Sequence, residues 1–406
     1  MGTKSMKRRD FIGKATFGLL STGLSIPLLR GGITNQDQPY KIIYRTLGRT
    51  NLRIPIVSFG VMNSDSPDLI NRAIELGIKY LDTANGYLRG NSERVIGEVL
   101  ENTGKRDKVY VATKMRLARD SKKGIFTAGG STHEPAATEE NLFNQLEISL
   151  KRLRTDYVDI LYLHSCLTPQ MVNFEPLMNA LVKAKKQGKA RFIGISTHTN
   201  DPDVIRAAVD AEVYDVILTS YNFVQENKEE IKKAIQYAAE KDVGVVAMKT
   251  QGGRRYQQTS KVEVNHEAAL KWVLNDKNVC TTIPGMTSFE QLEQNLKTMS
   301  SLALSEKEKR ELQTASKLRG SLFCQNCRSC ILTCPNEVEI PSLIRAYMYA
   351  EGYGNFVQAK MTVEELDKNQ GLGMCRNCSS CTASCRNGID IASRLKALIT
   401  EGLYLG

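Results

Sequence analysis

The feature that most limits the fold of this chain is a regular alternation of apolar runs with amphipathic segments. Between about residues 41 and 318, eight short apolar or alternating runs, typical of buried strands, are each followed by a segment of helical periodicity. The strand candidates are residues 56–62, 79–84, 109–114, 158–164, 191–196, 213–220, 243–249 and 279–284. Eight strand–helix pairs joined by short loops predict an α/β fold of the (β/α)₈ TIM barrel type.

A doubly wound α/β sheet is the alternative arrangement of such units. It would seldom need eight of them, and it normally carries a glycine-rich loop after its first strand. Here the first strand candidate ends in Phe59-Gly60-Val61-Met62-Asn63, which is not such a loop. The sequence therefore favours the barrel for residues 41–318.

Three consecutive strand candidates end in ionisable residues. These are Asp82, Lys114 and His164, and Tyr87 follows Asp82 in the next loop. In a TIM barrel the active site lies at the C-terminal ends of the strands, so we expect the four side chains to form one cluster. A plain salt bridge between Asp82 and Lys114 on an ordinary barrel rim is the alternative.

The chemistry of such a cluster depends on the tyrosine. A lysine cation beside a tyrosine lowers the phenol pKa from about 10 toward neutrality. A tyrosine in that state exchanges a proton with a carbonyl or hydroxyl oxygen, which a nearby histidine can orient. The grouping suits the interconversion of a carbonyl and an alcohol, with the hydride carried by a nicotinamide.

The same residues are part of a longer series of matches to one enzyme family. The matching segments are Leu81-Asp82-Thr83-Ala84 with Tyr87, Ala112-Thr113-Lys114, Leu161-Tyr162-Leu163-His164, Gly194-Ile195-Ser196, Tyr221-Asn222-Phe223, Ile283-Pro284-Gly285 and Glu290-Gln291-Leu292-Glu293-Gln294-Asn295. They occur in the right order over residues 42–300, and in them the chain resembles the aldo-keto reductases. The resemblance implies that Tyr87 is the general acid and base. Lys114 and Asp82 would tune its pKa, and His164 would orient the carbonyl of a small-molecule substrate.

The resemblance also implies a bound NADP or NAD. The expected nucleotide contacts are Ser196, Phe223, Lys249, Gln291, Gln294 and Asn295. Two positions that usually hold the nicotinamide carboxamide differ from the family, with Thr197 in place of Asn and Leu218 in place of Gln. Gln291 replaces a basic residue that often contacts the adenosine 2′-phosphate. Each lost neutral hydrogen bond costs roughly 0.5–1.5 kcal/mol, so we expect weaker nucleotide binding and less preference for NADP over NAD.

Eight of the ten cysteines lie in a duplicated segment after residue 323. Cys324, Cys327, Cys330 and Cys334 recur 51 residues later as Cys375, Cys378, Cys381 and Cys385. In ferredoxin-type pairs, three cysteines of each run bind one [4Fe–4S] cluster and the fourth binds the other. We therefore expect two clusters, the first completed by Cys385 and the second by Cys334.

Four disulfides and two zinc sites are the alternatives for these cysteines. Such crowded spacing leaves few unstrained disulfide pairings, and zinc sites usually come as two spaced pairs of ligands. Helical periodicity at residues 342–349 and 393–399 resembles an α-helical ferredoxin more than a compact β-rich one. The expected second domain is thus a small, mainly α-helical, ferredoxin-like domain over residues 319–406.

The N-terminal residues 1–30 resemble a twin-arginine export signal, through Lys7-Arg8-Arg9-Asp10-Phe11-Ile12 and the weakly apolar stretch that follows. An ordinary secretory leader is the alternative. The resemblance implies passage through the twin-arginine export machinery, which carries folded proteins with their cofactors in place. Because no cleavage site is evident, the N-terminus could stay as a membrane tether of an otherwise periplasmic protein. Residues 31–40 read as a polar linker.

The charge of the chain argues against a nucleic-acid partner. The formal net charge is +11, but residues 1–30 hold six basic residues and one acidic residue, which accounts for +5 of it. No basic run elsewhere is interleaved with aromatic residues, so no nucleic acid is expected.

Together these features predict an exported oxidoreductase whose barrel performs hydride chemistry linked to two electron-transfer clusters. A membrane or periplasmic redox partner would complete the path. One alternative is an electron-transfer or accessory subunit built on a barrel with reduced catalytic capacity. Another treats the clusters as purely structural. The Gly/Ser/Lys-rich residues 116–135 are expected to cover the pocket.

Overall fold

The structure is a computed structural model that describes residues 40–129, 134–252, 264–319, 323–376 and 378–403. The expected export signal, residues 1–30, and all but the last residue of the expected linker lie outside these ranges. Within them, no helix combines the length and the apolar character that crossing a bilayer requires.

Eight parallel strands form the central sheet, in which neighbours along the chain are neighbours in space. The strands of the molecule are β1 Tyr44–Thr46, β2 Arg53–Pro55, β3 Phe59–Gly60, β4 Tyr80–Asp82, β5 Tyr110–Met115, β6 Arg119–Asp120, β7 Ile125–Phe126, β8 Val158–Leu163, β9 Ala190–Thr197, β10 Val216–Ser220, β11 Gly244–Met248 and β12 Thr281–Thr282. The sheet runs β3-β4-β5-β8-β9-β10-β11-β12, and single bridges from Val57 to Thr282 and from Gly60 to Gly285 join its two edges. The predicted barrel is confirmed.

The seam between β3 and β12 has shorter strands than the sequence pattern indicated. The two candidates, residues 56–62 and 279–284, contain only two strand residues each, because they meet through isolated bridges and not through a continuous ladder. Gly60 makes this approach possible. A Cβ atom at Gly60 would lie 2.6 Å from the carbonyl oxygen of Ile283, so only glycine fits there without a shift.

The helices begin with α1 Pro67–Glu75, α2 Asn91–Thr103, α3 Glu139–Leu153, α4 Pro169–Val172, α5 Glu175–Lys186, α6 Asp201–Asp210, α7 Lys228–Glu240, α8 His266–Leu274, α9 Phe289–Lys297 and α10 Glu306–Arg319. The remaining ones are α11 Ile340–Tyr347, α12 Phe356–Glu364 and α13 Ile391–Thr400, with one π-helical turn at Met348–Gly352. Side-chain caps at Ser66, Thr138 and Ser288 begin α1, α3 and α9.

Alternating strand residues fill two apolar layers. Leu81 points outward into the core between strands and helices, and its neighbour Tyr80 points into the barrel beside Tyr162. Leu47 and Ile54, from the β1–β2 hairpin, close the N-terminal end of this inner layer. The C-terminal end of the barrel is therefore the end that is available for a site.

The C-terminal region, which we define as the described residues from 323 onward, has an apolar core of its own. Leu343 of α11 and Leu395 of α13 are both part of this core. The region lies against the C-terminal end of the barrel, where Asn355 Nδ2 donates a hydrogen bond to Asn63 Oδ1 at 2.7 Å. The division at residues 318 and 319 stays a prediction.

Candidate functional site

Three barrel strands bring the predicted catalytic residues together. Asp82 ends β4, Lys114 lies near the end of β5, and His164 directly follows β8. Lys114 Nζ forms a direct ion pair with Asp82 Oδ1 and donates a second hydrogen bond to the carbonyl of Thr83 at 2.6 Å. The two charged side chains are only 1% and 2% exposed. Each charge therefore depends on the other, since an unpaired charge in such a place is costly.

Tyr87 reaches the same place from a short 3₁₀ turn after β4. Leu88 and Arg89 in this turn take left-handed backbone angles, with φ of 50° and 55°. Lys114 Nζ lies 4.9 Å from the centre of the Tyr87 ring, and the His164 ring meets it edge-on at 5.9 Å. The structure thus brings all four predicted residues into one cluster.

The pKa of Tyr87 moves in the direction opposite to the expected one. Burial raises this pKa above about 10, and the charge of Asp82 raises it further. Lys114 does not counter the shift, because its charge is paired with Asp82; the cation that lowers the pKa of Tyr87 is Arg116. Tyr87 is therefore a protonated phenol at neutral pH, which is the form that donates a proton.

His164 is a neutral imidazole. Burial lowers its pKa well below the usual range, and the charges of Arg116 and Lys114 lower it further. Its Nδ1 atom is buried and has no hydrogen-bond partner. Since a buried polar atom without a partner is costly, this ring is ready to hydrogen-bond a ligand.

A second buried charge network surrounds Arg116. Its guanidinium pairs with Glu134 and with Glu365, which belongs to the C-terminal region. Burial raises the pKa of Glu365 to about 7, against the opposing effect of Arg116. The charges that act on Tyr87 and His164 thus depend on a residue outside the barrel.

A cavity of about 760 Å³ lies over the cluster, and all four predicted catalytic residues line it. Its other wall comes from the C-terminal region, through Arg345, Tyr349, Tyr353, Gln358 and Thr362. The sequence analysis missed this wall. The available signal was Arg345, a single charged residue in the otherwise apolar or uncharged run of α11.

The expectation that residues 116–135 cover the pocket is wrong for most of the segment. Of its described residues, Arg116 alone lines the cavity. Residues 119–126 form the β6–β7 hairpin, and the loop of this hairpin borders Cys327 instead. The C-terminal region provides the cover.

The six predicted nucleotide contacts do not all reach the cavity. Ser196, Lys249 and Gln291 line it. Asn295 lies just behind, because its Oδ1 accepts a hydrogen bond from the cavity residue Gln251 at 2.9 Å.

The other two predicted contacts lie elsewhere. Phe223 packs against Leu312 and Ala315 of α10, and Gln294 is exposed on α9. Both residues were predicted from their place in the family motifs, which does not indicate the direction of a side chain.

The positions that differ from the family are occupied in other ways. Thr197 Oγ1 donates to the carbonyl of Thr199 at 2.9 Å, and Leu218 packs inside the barrel. Ser196 Oγ accepts the backbone N–H of Ser165 at 2.9 Å, and it also lines the cavity.

Lys249 is held in a left-handed backbone conformation, with φ of 56°, just after β11. Burial lowers its pKa to about 7, and the nearby Arg345 lowers it further against the effect of Asp201. The end of β11 therefore presents a lysine whose positive charge is poorly compensated.

The eight cysteines of the C-terminal region form two groups. All ten cysteines of the chain are unpaired thiols, so the disulfide alternative is wrong. Burial and the neighbouring Cys324, Cys327 and Cys385 raise the pKa of Cys330 to about 12. These four residues are the first cysteine group. Burial and the neighbouring Cys334, Cys378 and Cys381 likewise raise the pKa of Cys375 to about 12. These four residues are the second cysteine group.

These groups fit iron–sulfur clusters by the chemistry of their donors. Each supplies four thiols, the ligand set of a [4Fe–4S] cluster. Backbone N–H groups of Asn326 and Asn387 donate to the sulfurs of Cys324 and Cys385 at 3.4 Å, which favours thiolates.

The first cysteine group adjoins the cavity. Cys324 lines a small pocket of about 70 Å³ together with His198, Lys249 and Arg345. The same three residues line the larger cavity. In the second cysteine group, Cys378 and Cys381 are exposed. The first group therefore lies next to the cavity, with Cys327 exposed, and the second group has two cysteines open to solvent.

The barrel, its buried Asp-Tyr-Lys-His cluster and the cysteine-rich region define an oxidoreductase that combines a (β/α)₈ domain with an iron–sulfur domain. The Aldo/keto reductase family matches residues 58–266, and a 4Fe-4S dicluster domain matches residues 323–390. The chain belongs to the aldo/keto reductase family. The predicted class, an NAD(P)-dependent oxidoreductase, and the predicted iron–sulfur nature of the C-terminal region are confirmed.

Individual relatives are similar to part of this chain over most of their own length. YqkF, an uncharacterized oxidoreductase of Bacillus subtilis, is 26% identical over an alignment of 279 positions, which covers 61% of this chain and 87% of YqkF. The methylglyoxal reductase DkgB of Salmonella typhi is 28% identical over 236 residues, covering 56% of this chain and 79% of DkgB. The solved holo form of the aldo-keto reductase AKR11C1 from Bacillus halodurans is 25% identical, with a TM-score of 0.55 over 68% of this chain and 96% of that one.

Proposed function

We propose that this protein is an exported oxidoreductase that interconverts a small carbonyl compound and its alcohol with bound NAD(P), and exchanges the electrons through two [4Fe–4S] clusters. The observation that carries the proposal is the shared cavity. Its barrel wall holds Tyr87 and His164, its other wall is the C-terminal region, and the first cysteine group adjoins it.

In this reaction Tyr87 exchanges a proton with the substrate oxygen. Its hydroxyl donates a proton to the carbonyl oxygen during reduction, and its phenolate takes up the alcohol proton during oxidation. Neutral His164 hydrogen-bonds the same oxygen and orients it. The Lys114–Asp82 pair fixes the wall against which the Tyr87 ring packs. The nicotinamide, when bound, supplies or accepts the hydride.

The electrons balance if both clusters take part. Oxidation of one alcohol to a carbonyl releases two electrons and two protons. Each [4Fe–4S] cluster carries one electron at a time, so two clusters hold the electron pair of one hydride. The first cysteine group would hold the cluster beside the cavity, and the second group, with two exposed cysteines, would hold the cluster that serves a membrane or periplasmic redox partner.

Export by the twin-arginine machinery is part of the proposal. It is supported by Arg8 and Arg9 followed by Phe11, and by a cavity enclosed between two regions of the folded chain. A nucleotide loaded before export would be carried in this cavity and recycled in place by the clusters. An uncleaved N-terminus would keep the protein at the membrane.

A single-turnover experiment tests the electron coupling. The full chain is purified anaerobically, its clusters are reduced with dithionite, the excess is removed, and NADP⁺ or NAD⁺ is added. Two reduced clusters and one proton convert one nucleotide to its reduced form, so about one NAD(P)H per chain should appear as the cluster signal decays. Intact clusters that reduce neither nucleotide would contradict the coupling.

A second candidate function is an electron-transfer or accessory subunit with a reduced nucleotide site. It is favoured by the apolar side chain of Leu218 inside the barrel and by the engaged hydroxyl of Thr197. Mass spectrometry of small molecules released from the denatured protein separates the two candidates. Near-stoichiometric NAD or NADP supports the enzyme, and full iron and sulfide with no nucleotide supports the accessory subunit.

The exchange of the fourth ligand between the cysteine runs gives a separate prediction. Cys385→Ala and Cys334→Ala should each lower the iron content from about eight to about four atoms per chain. Cys385→Ala should leave the same electron paramagnetic resonance spectrum as Cys324→Ala, because both belong to the first cysteine group. Cys334→Ala should match Cys375→Ala. If Cys385→Ala matched Cys375→Ala instead, each run would bind its own cluster.

A further inference from the structure

Two of the basic side chains around the cavity are paired with carboxylates. Lys114 contacts Asp82, and Arg116 contacts Glu134 and Glu365. These carboxylates are therefore already neutralised by barrel cations.

Among the described residues, Lys249 and Arg345 of the cavity wall lack such a partner; of the two, Arg345 reaches the cavity from α11. Its Nη2 donates to Ser342 Oγ at 2.9 Å, and among the described residues it makes no ion pair. The acidic residues nearest to it in the chain are Glu339 and Glu351, each six positions away. Glu339 accepts two hydrogen bonds from Arg328 at 2.9 and 2.6 Å, and Glu351 is exposed. Arg345 thus keeps an uncompensated charge on the cavity wall.

The groups that face Arg345 are basic as well. Its charge acts on His164, on His198 and on Lys249, and it lowers the pKa of all three. Asp201 is the carboxylate on this side, and it accepts hydrogen bonds from the hydroxyls of Thr219 and Ser220. Basic side chains therefore outnumber carboxylates at the point where the C-terminal region covers the barrel.

We propose that the substrate carries a carboxylate in addition to its carbonyl or hydroxyl group, and that Arg345 binds this carboxylate while the reacting oxygen meets Tyr87 and His164. The planar guanidinium offers paired donors that match the two oxygens of a carboxylate. The cavity of about 760 Å³ has room for such an oxo or hydroxy acid beside a nicotinamide. The inference rests on the proposed function and names its substrate class. It also makes Arg345, a residue of the C-terminal region, the determinant of specificity.

Matched pairs of aldehydes test the proposal on the nucleotide-loaded full chain. The pairs are succinic semialdehyde with butanal, and 4-carboxybenzaldehyde with benzaldehyde. A charge-assisted hydrogen bond to a buried carboxylate predicts that kcat/KM for the acid in at least one pair exceeds that for its neutral partner by roughly 10–100-fold. Arg345→Met should abolish this preference by lowering kcat/KM for the acid. Arg345→Lys should restore part of it.

The control variant is Lys396→Met, which removes an exposed positive charge from α13 of the same region. It should keep the preference for the acid. Equal rates on both members of each pair in the wild type, or a preference that survives Arg345→Met, would overturn the proposal.

Two other anions could balance the charge of Arg345, and each gives its own result. If Arg345→Met released the nucleotide and slowed both aldehydes equally, the bound anion would be a nucleotide phosphate. If the variant changed only the spectrum of the first cluster, Arg345 would balance the thiolates near Cys324. Either result overturns the carboxylate proposal. Turnover of neither aldehyde by the loaded wild type would instead overturn the proposed function, and this inference with it.

Discussion

Replacing Tyr87 by phenylalanine is expected to lower kcat for aldehyde reduction by about 10²–10⁴-fold, the usual contribution of a positioned proton donor. The substitution removes only the hydroxyl. The ring keeps its contacts with Lys114 Nζ at 4.9 Å and with the His164 ring at 5.9 Å, so the fold and KM should change little. Initial rates of NAD(P)H oxidation with a test aldehyde measure the effect, together with iron and nucleotide content.

The matched control for this variant is Tyr237→Phe. The Tyr237 hydroxyl donates to Asp210 at 2.6 Å on the outer helices, far along the chain from the catalytic strands. Loss of this hydroxyl should leave kcat unchanged. If Tyr87→Phe retained kcat within threefold of the wild type, Tyr87 would not be the proton donor.

The pH dependence follows from the direction of the Tyr87 pKa. Because burial and Asp82 raise this pKa, the phenol stays protonated and the supply of donor for reduction should stay level from about pH 6 to 9. Alcohol oxidation needs the deprotonated phenol, so its rate should rise over the same interval. This difference in pH dependence between the two directions should disappear in Tyr87→Phe.

Local patterns in the sequence were sufficient to predict the barrel and its catalytic strand ends. The apolar runs that lead to Asp82 and Lys114 show the residue pattern of buried strands. Eight such strands in chain order form the barrel that the structure shows. The cysteine spacing likewise fixed the ligand runs, since three thiols two residues apart must face one small volume. The barrel strands and the cysteine runs are thus determined by residues that are close together in the chain.

The features that the sequence did not reveal arise from contacts distant in the chain. The pKa of Tyr87 depends on burial and on Arg116, and Arg116 is held by Glu365 from the C-terminal region. No periodicity within β5 indicates that pairing. Phe223 and Gln294 were assigned from motif position alone, and the orientation of their elements places them outside the cavity.

The same contacts make the C-terminal region part of the candidate active site as well as the region that carries the cysteine groups. It supplies Arg345 and Tyr349 to the cavity wall. Its Glu365 pairs with Arg116, the cation that lowers the pKa of Tyr87. The active site of this barrel is therefore assembled by both regions. A barrel isolated from the C-terminal region would lack one wall of its cavity.

The largest expected loss of stability follows from Lys114→Met. Asp82 would keep its carboxylate at 2% exposure with no cation in contact, and removal of one partner of a buried pair typically costs about 3–5 kcal/mol of unfolding free energy. Trp272 of α8, the one tryptophan of the chain, packs on Tyr221 at 5.0 Å and reports on the barrel by fluorescence. Urea unfolding of the variant should therefore begin at a clearly lower concentration than that of the wild type.

The loss of unfolding free energy in Lys114→Met should depend on pH and on whether Asp82 is still present. This dependence distinguishes an unpaired charge from a packing defect. Burial raises the pKa of Asp82 in the folded protein, and without Lys114 it would rise further. A carboxyl with a raised folded-state pKa binds its proton more tightly when folded. The variant should thus regain stability as the pH falls below that pKa toward the unfolded value of about 4, and lose it again as the pH rises.

The double variant Asp82→Leu with Lys114→Met removes both charges and should recover most of the loss. A single variant equally unstable at pH 5 and pH 8, with no recovery in the double variant, would mean that shape at this position matters more than charge.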